Sequence, residues 1–142
     1  MVFLLGILFS GFLASGQDLR TESASILGEW TTAEGKAIVL ITRCDSSYCG
    51  KIVWLKEPLK NGKPVVDSKN ADPKFRDEPI LGMTFLRGFQ YDGDGDYIGG
   101  KVYDPESGET YSGKLRLVDA KTLELRGYVL IPLFGRTETW TR

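Results

Sequence analysis

The sequence predicts an all-β domain in which about eight antiparallel strands form a meander closed into a small barrel. Three observations carry this reading. Short runs of β-branched and apolar residues recur along the chain and are broken by turn residues. Several runs alternate between apolar and polar side chains, as half-buried strands do. No long amphipathic helical period interrupts them. Sequential hairpins give a meander, and closing it removes strand edges that would otherwise pair with other chains. Two packed sheets are the alternative architecture.

The elements follow in order. Residues 27–32, LGEWTT, form the first strand. AIVLITR (37–43) and GKIVWL (50–55) make a hairpin with Cys44 and Cys49 at its turn. Residues 56–82 differ in character, holding Pro58, Pro64, Pro73 and Pro79 of the six prolines. Within them Asn61–Gly62 marks a turn, and ADPKFR reads as one helical turn with Asp72 as N-cap and Pro73 at its first position. Strands resume with MTFLRGFQY (83–91), where strict alternation puts Met83, Phe85, Arg87, Phe89 and Tyr91 on one face. YIGGKVY (97–103), TYSGKLRL (110–117), TLELRGYV (122–129) and GRTETWTR (135–142) complete the set. Tyr111, Gly113, Leu115 and Leu117 point inward on one of these, and Leu123, Leu125, Gly127 and Val129 on the next. Glycines inside strands suit the sharp bends of a small barrel.

A chain of 142 residues is one domain's worth. Its 42% hydrophobic and 26% charged content is that of a globular protein. Eighteen Lys and Arg against nineteen Asp and Glu leave a net charge of -1, so no long-range field attracts nucleic acid or an anionic membrane, while a local basic patch is compatible with that balance. The first charged residue is Asp18, and the apolar run Val2 to Leu13 is too short to span a bilayer as a helix. Residues 1–16 are therefore expected to be a secretory signal, with Ala14 to Gly16 at the cleavage site and the barrel domain occupying 17–142. The expected location is the periplasm or the outside of the cell, with no stable membrane insertion once the signal is removed. In that oxidising setting Cys44 and Cys49 form a disulfide by default. A redox pair is the competing reading, but four residues separate the cysteines where two are usual.

There is no histidine, which removes Ser–His, Cys–His and His–metal arrangements and leaves carboxylate, Lys or Tyr chemistry. Asp92, Asp94 and Asp96 in YDGDGDYIGG suggest a calcium loop. Counted from Asp92, however, the position needing Gly is Tyr97 and the position needing Glu is Tyr103. The stretch reads better as a hairpin turn of residues that tolerate positive φ. DPESGE (104–109) is likewise a turn.

GEWTT, CDSSYCGKIVWLKEP, GKPVVDSKNADPKFRDEPILGM, YIGGKVYDPESGETYSGKLRL and LRGYVLIPLFGRTETWTR, taken in order, resemble the exported bacterial family catalogued as domain of unknown function 2147. The resemblance runs from Gly28 to Arg142 and implies an exported, mostly β protein with no assigned molecular function. Asp45 departs from the pattern, which has Gly after the first cysteine. GEW at Gly28 to Trp30 is similar to the Gly-x-Trp that opens the first strand of lipocalins, whose Trp packs under an Arg of the last strand. That resemblance implies a lipocalin-like barrel in which Arg136 or Arg142 covers Trp30.

The functional expectation is a non-enzymatic exported barrel that binds a small ligand or a cell-envelope partner, as a monomer, without cofactor or metal. Segment 56–82 and the aromatic barrel mouth beside it form the candidate surface. Trp54, Asp67, Asn70, Asp72 and Arg76 are the candidates for ligand contact or for anchoring the segment, with Arg76 expected to pair with Asp67 or Asp72. The segment could equally be a cover over a filled barrel end. The rival class is a periplasmic hydrolase using carboxylates such as Glu57, Asp67, Asp72 or Asp104. Facing carboxylates in a solvent-connected cavity would favour the enzyme, and an apolar cavity the binder.

Overall fold

A computed structural model describes residues 26–131, 133 and 135–142; the expected signal at 1–16 lies outside them. Eight strands close into one antiparallel barrel: β1 (Gly28–Thr31), β2 (Ala37–Cys44), β3 (Ser47–Leu55), β6 (Thr84–Tyr91), β7 (Asp96–Asp104), β8 (Glu109–Asp119), β9 (Thr122–Tyr128) and β10 (Gly135–Thr141). Around the barrel the order is β1-β10-β9-β8-β7-β6-β3-β2. The meander is interrupted once, by the segment between β3 and β6. There β4 (Leu59–Lys60) and β5 (Lys63–Pro64) form a small ribbon around the expected Asn61–Gly62 turn. The expected helical turn is a 3-10 turn, Pro73–Phe75, and Asp72 accepts the backbone N–H of Lys74 at 3.0 Å as its cap. A second 3-10 turn, Ala33–Gly35, joins β1 to β2.

The two ends of the barrel differ. One end is filled by Trp30, Phe89, Tyr97, Leu115, Leu123 and neighbouring side chains, all essentially inaccessible to water. Phe89 lies where Gly100 and Gly113 leave room. A Cβ at Gly100 would overlap the ring, and one at Gly113 would come within 2.7 Å of it. Tyr48 meets Tyr97 edge-on with centroids 5.1 Å apart. Arg142 closes this end: its guanidinium lies 4.0 Å from the centroid of Trp30 and donates to the carbonyls of Ala120 and Leu27. Arg136 sits at the other end of β10, at the opposite mouth.

The β2–β3 hairpin tip at the closed end carries the Cys44–Cys49 disulfide, with Cα atoms 5.8 Å apart. Asp45 takes φ 56 there, the left-handed conformation for which Gly is the natural choice. Asp is among the residues that tolerate it. The Asp92–Asp96 turn lies at the same end. Its Asp92 carboxylate is directed at its own backbone, accepting the N–H groups of Asp94 and Asp96 at 2.7 and 3.1 Å. This local bonding accounts for the aspartate as a turn-former.

In β6 strict alternation fails. Leu86 and Phe89 are both buried while Arg87 is exposed. Gly88 at φ 79 faces the region of Gly99 at φ 76 across β6–β7, and these two left-handed residues shift the inward-facing set by one position on both strands. Val129, expected inward on β9, lies just past the strand end and is 55% exposed.

Candidate functional site

The end opposite Arg142 is open. From it opens a recess of about 2020 Å³, bordered by the partly accessible Phe85, Tyr111 and Tyr128 over a floor of Val39, Ile52, Val102, Leu125 and Trp140, which are almost inaccessible to water. This exceeds an ordinary small-molecule pocket of up to about 1,000 Å³. The excess arises because the space continues outward between segment 56–82, which contributes Val65, Val66 and Ile80, and the loop after β9, which contributes Val129. Gly127 opens the wall further: a Cβ there would meet only the Cβ of Tyr111, at 3.8 Å. Charges of both signs line the rim, Glu34, Asp77 and Glu106 among the acids and Lys36, Lys63 and Arg136 among the bases.

Segment 56–82 is fixed to one side of this mouth. Ile80 is buried with Ala37 and Ile52, and Leu55, Val65, Met83 and Phe85 pack against them. Backbone bonds tie it down at both ends: Lys56 N–H to the Lys36 carbonyl at 2.9 Å, and Gly82 N–H to the Ile52 carbonyl at 2.8 Å. Inside the segment Asp67 N–H donates to the Glu78 carbonyl and Ile80 N–H to the Val65 carbonyl, so its two arms are paired.

The polar residues form one connected cluster. Asp67 is 2% exposed. Its Oδ1 accepts the hydroxyl of Tyr103, on β7, at 2.7 Å, and its Oδ2 accepts Asn70 Nδ2 at 2.8 Å. Asn70 Oδ1 accepts the Asp72 N–H at 2.9 Å. Arg76 donates from Nε to the Asn70 carbonyl at 2.8 Å. The expected ion pair of Arg76 with Asp67 or Asp72 is thus replaced by a bond to backbone. Both Asp67 oxygens are already engaged, and Asp72 caps the 3-10 turn. Tyr103 is half-buried and lines the cavity. Burial, then the hydrogen bond to Asp67 and the charges of Asp67 and Asp104, push its phenol up to about 12. It is held as a neutral donor.

A second contact docks the segment on the β7–β8 hairpin. Gly108, at φ 76, packs so closely on the Lys69 carbonyl that a Cβ would overlap it. The hairpin has its own lock, in which Asp104 accepts the N–H of Glu106 at 2.9 Å and the Ser107 hydroxyl at 3.0 Å.

Of the residues singled out from sequence, Asp67, Asn70, Asp72 and Arg76 come together, and Trp54 does not join them. Trp54 is 45% exposed and is not among the cavity walls. Tyr103 was not anticipated, since it lies 36 positions beyond Asp67 and only barrel closure brings the two together. The cavity aromatics were legible only as alternate strand positions. Glu57, a candidate acid, is exposed. Among the described residues no group of three or more Cys, Asp or Glu is placed to hold a metal ion.

A family model described as "Uncharacterized protein conserved in bacteria (DUF2147)" matches residues 28–142. A solved structure described as "Protein HP1028 from the human pathogen Helicobacter pylori belongs to the lipocalin family" is similar in fold, with a TM-score of 0.71 at 24% identity, over 82% of this chain and 81% of that one. No curated protein matches the chain.

Proposed function

The chain belongs to the DUF2147 family, and from that premise we propose that it is an exported barrel that binds a small apolar molecule in the open half of its interior. One observation carries the reading: Arg142 closes the barrel at one end, and at the other the barrel opens into a recess with apolar and aromatic sides. An apolar guest there gains roughly 25 cal/mol for each Å² it removes from water. Rim charges of both signs favour selection by shape and apolar surface over net charge. Asp67, the buried acid among the described residues, has both oxygens engaged in anchoring the segment, which favours binding over carboxylate hydrolysis. The Cys44–Cys49 disulfide and the apolar run at residues 2–13 support export.

The test is a fluorescence titration with N-phenyl-1-naphthylamine, a probe that brightens in apolar surroundings. The wild-type protein is expected to bind it saturably. Gly127→Trp, which puts an indole into the cavity from a position with room for a Cβ, should weaken binding at least about tenfold with little change in Tm. Equal binding by both proteins, or none by the wild type, contradicts the proposal.

A further inference from the structure

The cavity rim carries an apolar surface that the barrel core does not use. Between Arg126 and Arg136 the chain contains no charged residue. Leu130 is 87% exposed and Leu133 76%, with Val129 and Ile131 about half exposed beside them. Leu130 stands at φ 69, and the Ile131 N–H donates to the Val129 carbonyl at 2.8 Å across it, a γ-turn of the positive-φ kind. A solvated turn tip in this conformation ordinarily carries Gly, Asn or Asp. Here a leucine is held outward against both its backbone preference and its aversion to water.

The surroundings suggest what covers this tip. Arg126 and Arg136 stand at the base of the loop, and Arg126 Nη1 is steadied by a 2.8 Å bond to Thr137 Oγ1. An apolar tip with guanidinium groups at its base suits a bilayer interface, where side chains enter the acyl region and cations meet phosphates. A folded protein partner fits less well. Among the described residues the loop exposes four apolar side chains, Val129, Leu130, Ile131 and Leu133, whereas each partner of a stable pair contributes about 20–30 residues and ~800 Å². A lipid surface accepts a convex finger without needing a matching groove. The loop also borders the cavity through Val129, so seating it on a membrane places the open mouth against lipid.

We propose that the β9–β10 loop docks the mouth of the barrel onto a lipid surface by inserting Val129, Leu130, Ile131 and Leu133, with Arg126 and Arg136 at the headgroups. The contact is peripheral: among the described residues no helix is long and apolar enough to cross a membrane. It does not depend on what the cavity holds.

Because residues 2–13 are also apolar, the test reads position rather than total binding. The full chain carries Leu133→Cys labelled with nitrobenzoxadiazole, the native cysteines being paired with each other. A second protein carries the label through Val118→Cys, at a half-exposed site on β8 near the closed end. Each is mixed with vesicles of phosphatidylcholine and phosphatidylglycerol bearing bromine on the acyl chains. The label at 133 is expected to shift to the blue and to be quenched, while the label at 118 stays in water. Leu130→Asp placed in the Leu133→Cys protein should lower the fraction of label reaching the acyl chains about tenfold or more. A label at 133 that stays in water, whether or not the protein binds vesicles, overturns the proposal. So does a concentration-dependent blue shift without vesicles and none with them, which would assign the finger to a second copy of the chain.

Discussion

Replacing Tyr103 by Phe deletes a single oxygen and leaves the ring in place. The lost hydroxyl donates to Asp67 Oδ1 at 2.7 Å, and Asp67 is 2% exposed, so water cannot supply the missing donor. Removing one partner of a buried, charged acceptor costs about 1.5–3 kcal/mol. For a domain of this size, about 2 kcal/mol corresponds to a fall in Tm of roughly 7–10 °C. Calorimetry of the two proteins at neutral pH measures it. The same bond has a pH signature. The folded-state value of Tyr103 is raised from 10.0 to about 12, so its contribution is fully present below pH 10 and lost as pH rises toward 12. The Tm gap between wild type and Tyr103→Phe should therefore narrow across that window. Asp67→Asn completes a double-mutant cycle and should show coupling with Tyr103→Phe. A Tyr103→Phe protein melting within about 1 °C of wild type, with a gap unchanged from pH 10 to 12, would refute the claim that this pair pins the segment to the barrel.

Gly108→Ala places a methyl group on the Lys69 carbonyl at a positive φ, and should lower stability by roughly 2–4 kcal/mol in a denaturant titration. Intact mass spectrometry of the folded protein should show two hydrogens fewer than the reduced chain; two freely alkylated thiols would contradict the Cys44–Cys49 bond. A calcium chelator should leave Tm unchanged, because Asp92 serves its own turn. A calcium-dependent rise abolished by Asp94→Asn would show otherwise.

Strand positions were legible wherever a strand obeys one simple rule. β8 alternates from Tyr111 to Leu117 and β9 from Leu123 to Gly127, and their inward residues follow directly over those spans. β6 does not, because a left-handed glycine in mid-strand changes which side the next residues face, and nothing in the letters separates Gly88 from a glycine in ordinary extended backbone. The Asp72 cap and the Asn61–Gly62 turn were legible because each is made by neighbours in sequence. Asp67 was legible as a polar residue worth singling out, but its burial was not, since Tyr103 and the β7–β8 hairpin reach it only once the barrel closes. The division into a filled and an open half was hidden for the same reason. It depends on how side-chain volumes from eight strands add up at each level, such as Phe89 fitting over Gly100 and Gly113. The finger at Leu130 had no period at all, and its exposure became visible only against the cavity rim.

The central claim is that the open half of the barrel, and not its surface, receives an apolar guest. A two-dimensional NMR titration with N-phenyl-1-naphthylamine tests it most directly. The indole N–H of Trp140, bonded to Glu138 Oε1 at 3.1 Å, is a single reporter beside the cavity, and the indole N–H of Trp30, bonded to the Ile26 carbonyl at 2.9 Å, is its counterpart in the filled half. The account predicts saturable shifts at Trp140, Phe85, Leu125 and Gly127, with Trp30, Tyr97 and Leu115 unmoved. Shifts confined to exposed positions such as Trp54, or spread equally over both ends, would contradict it.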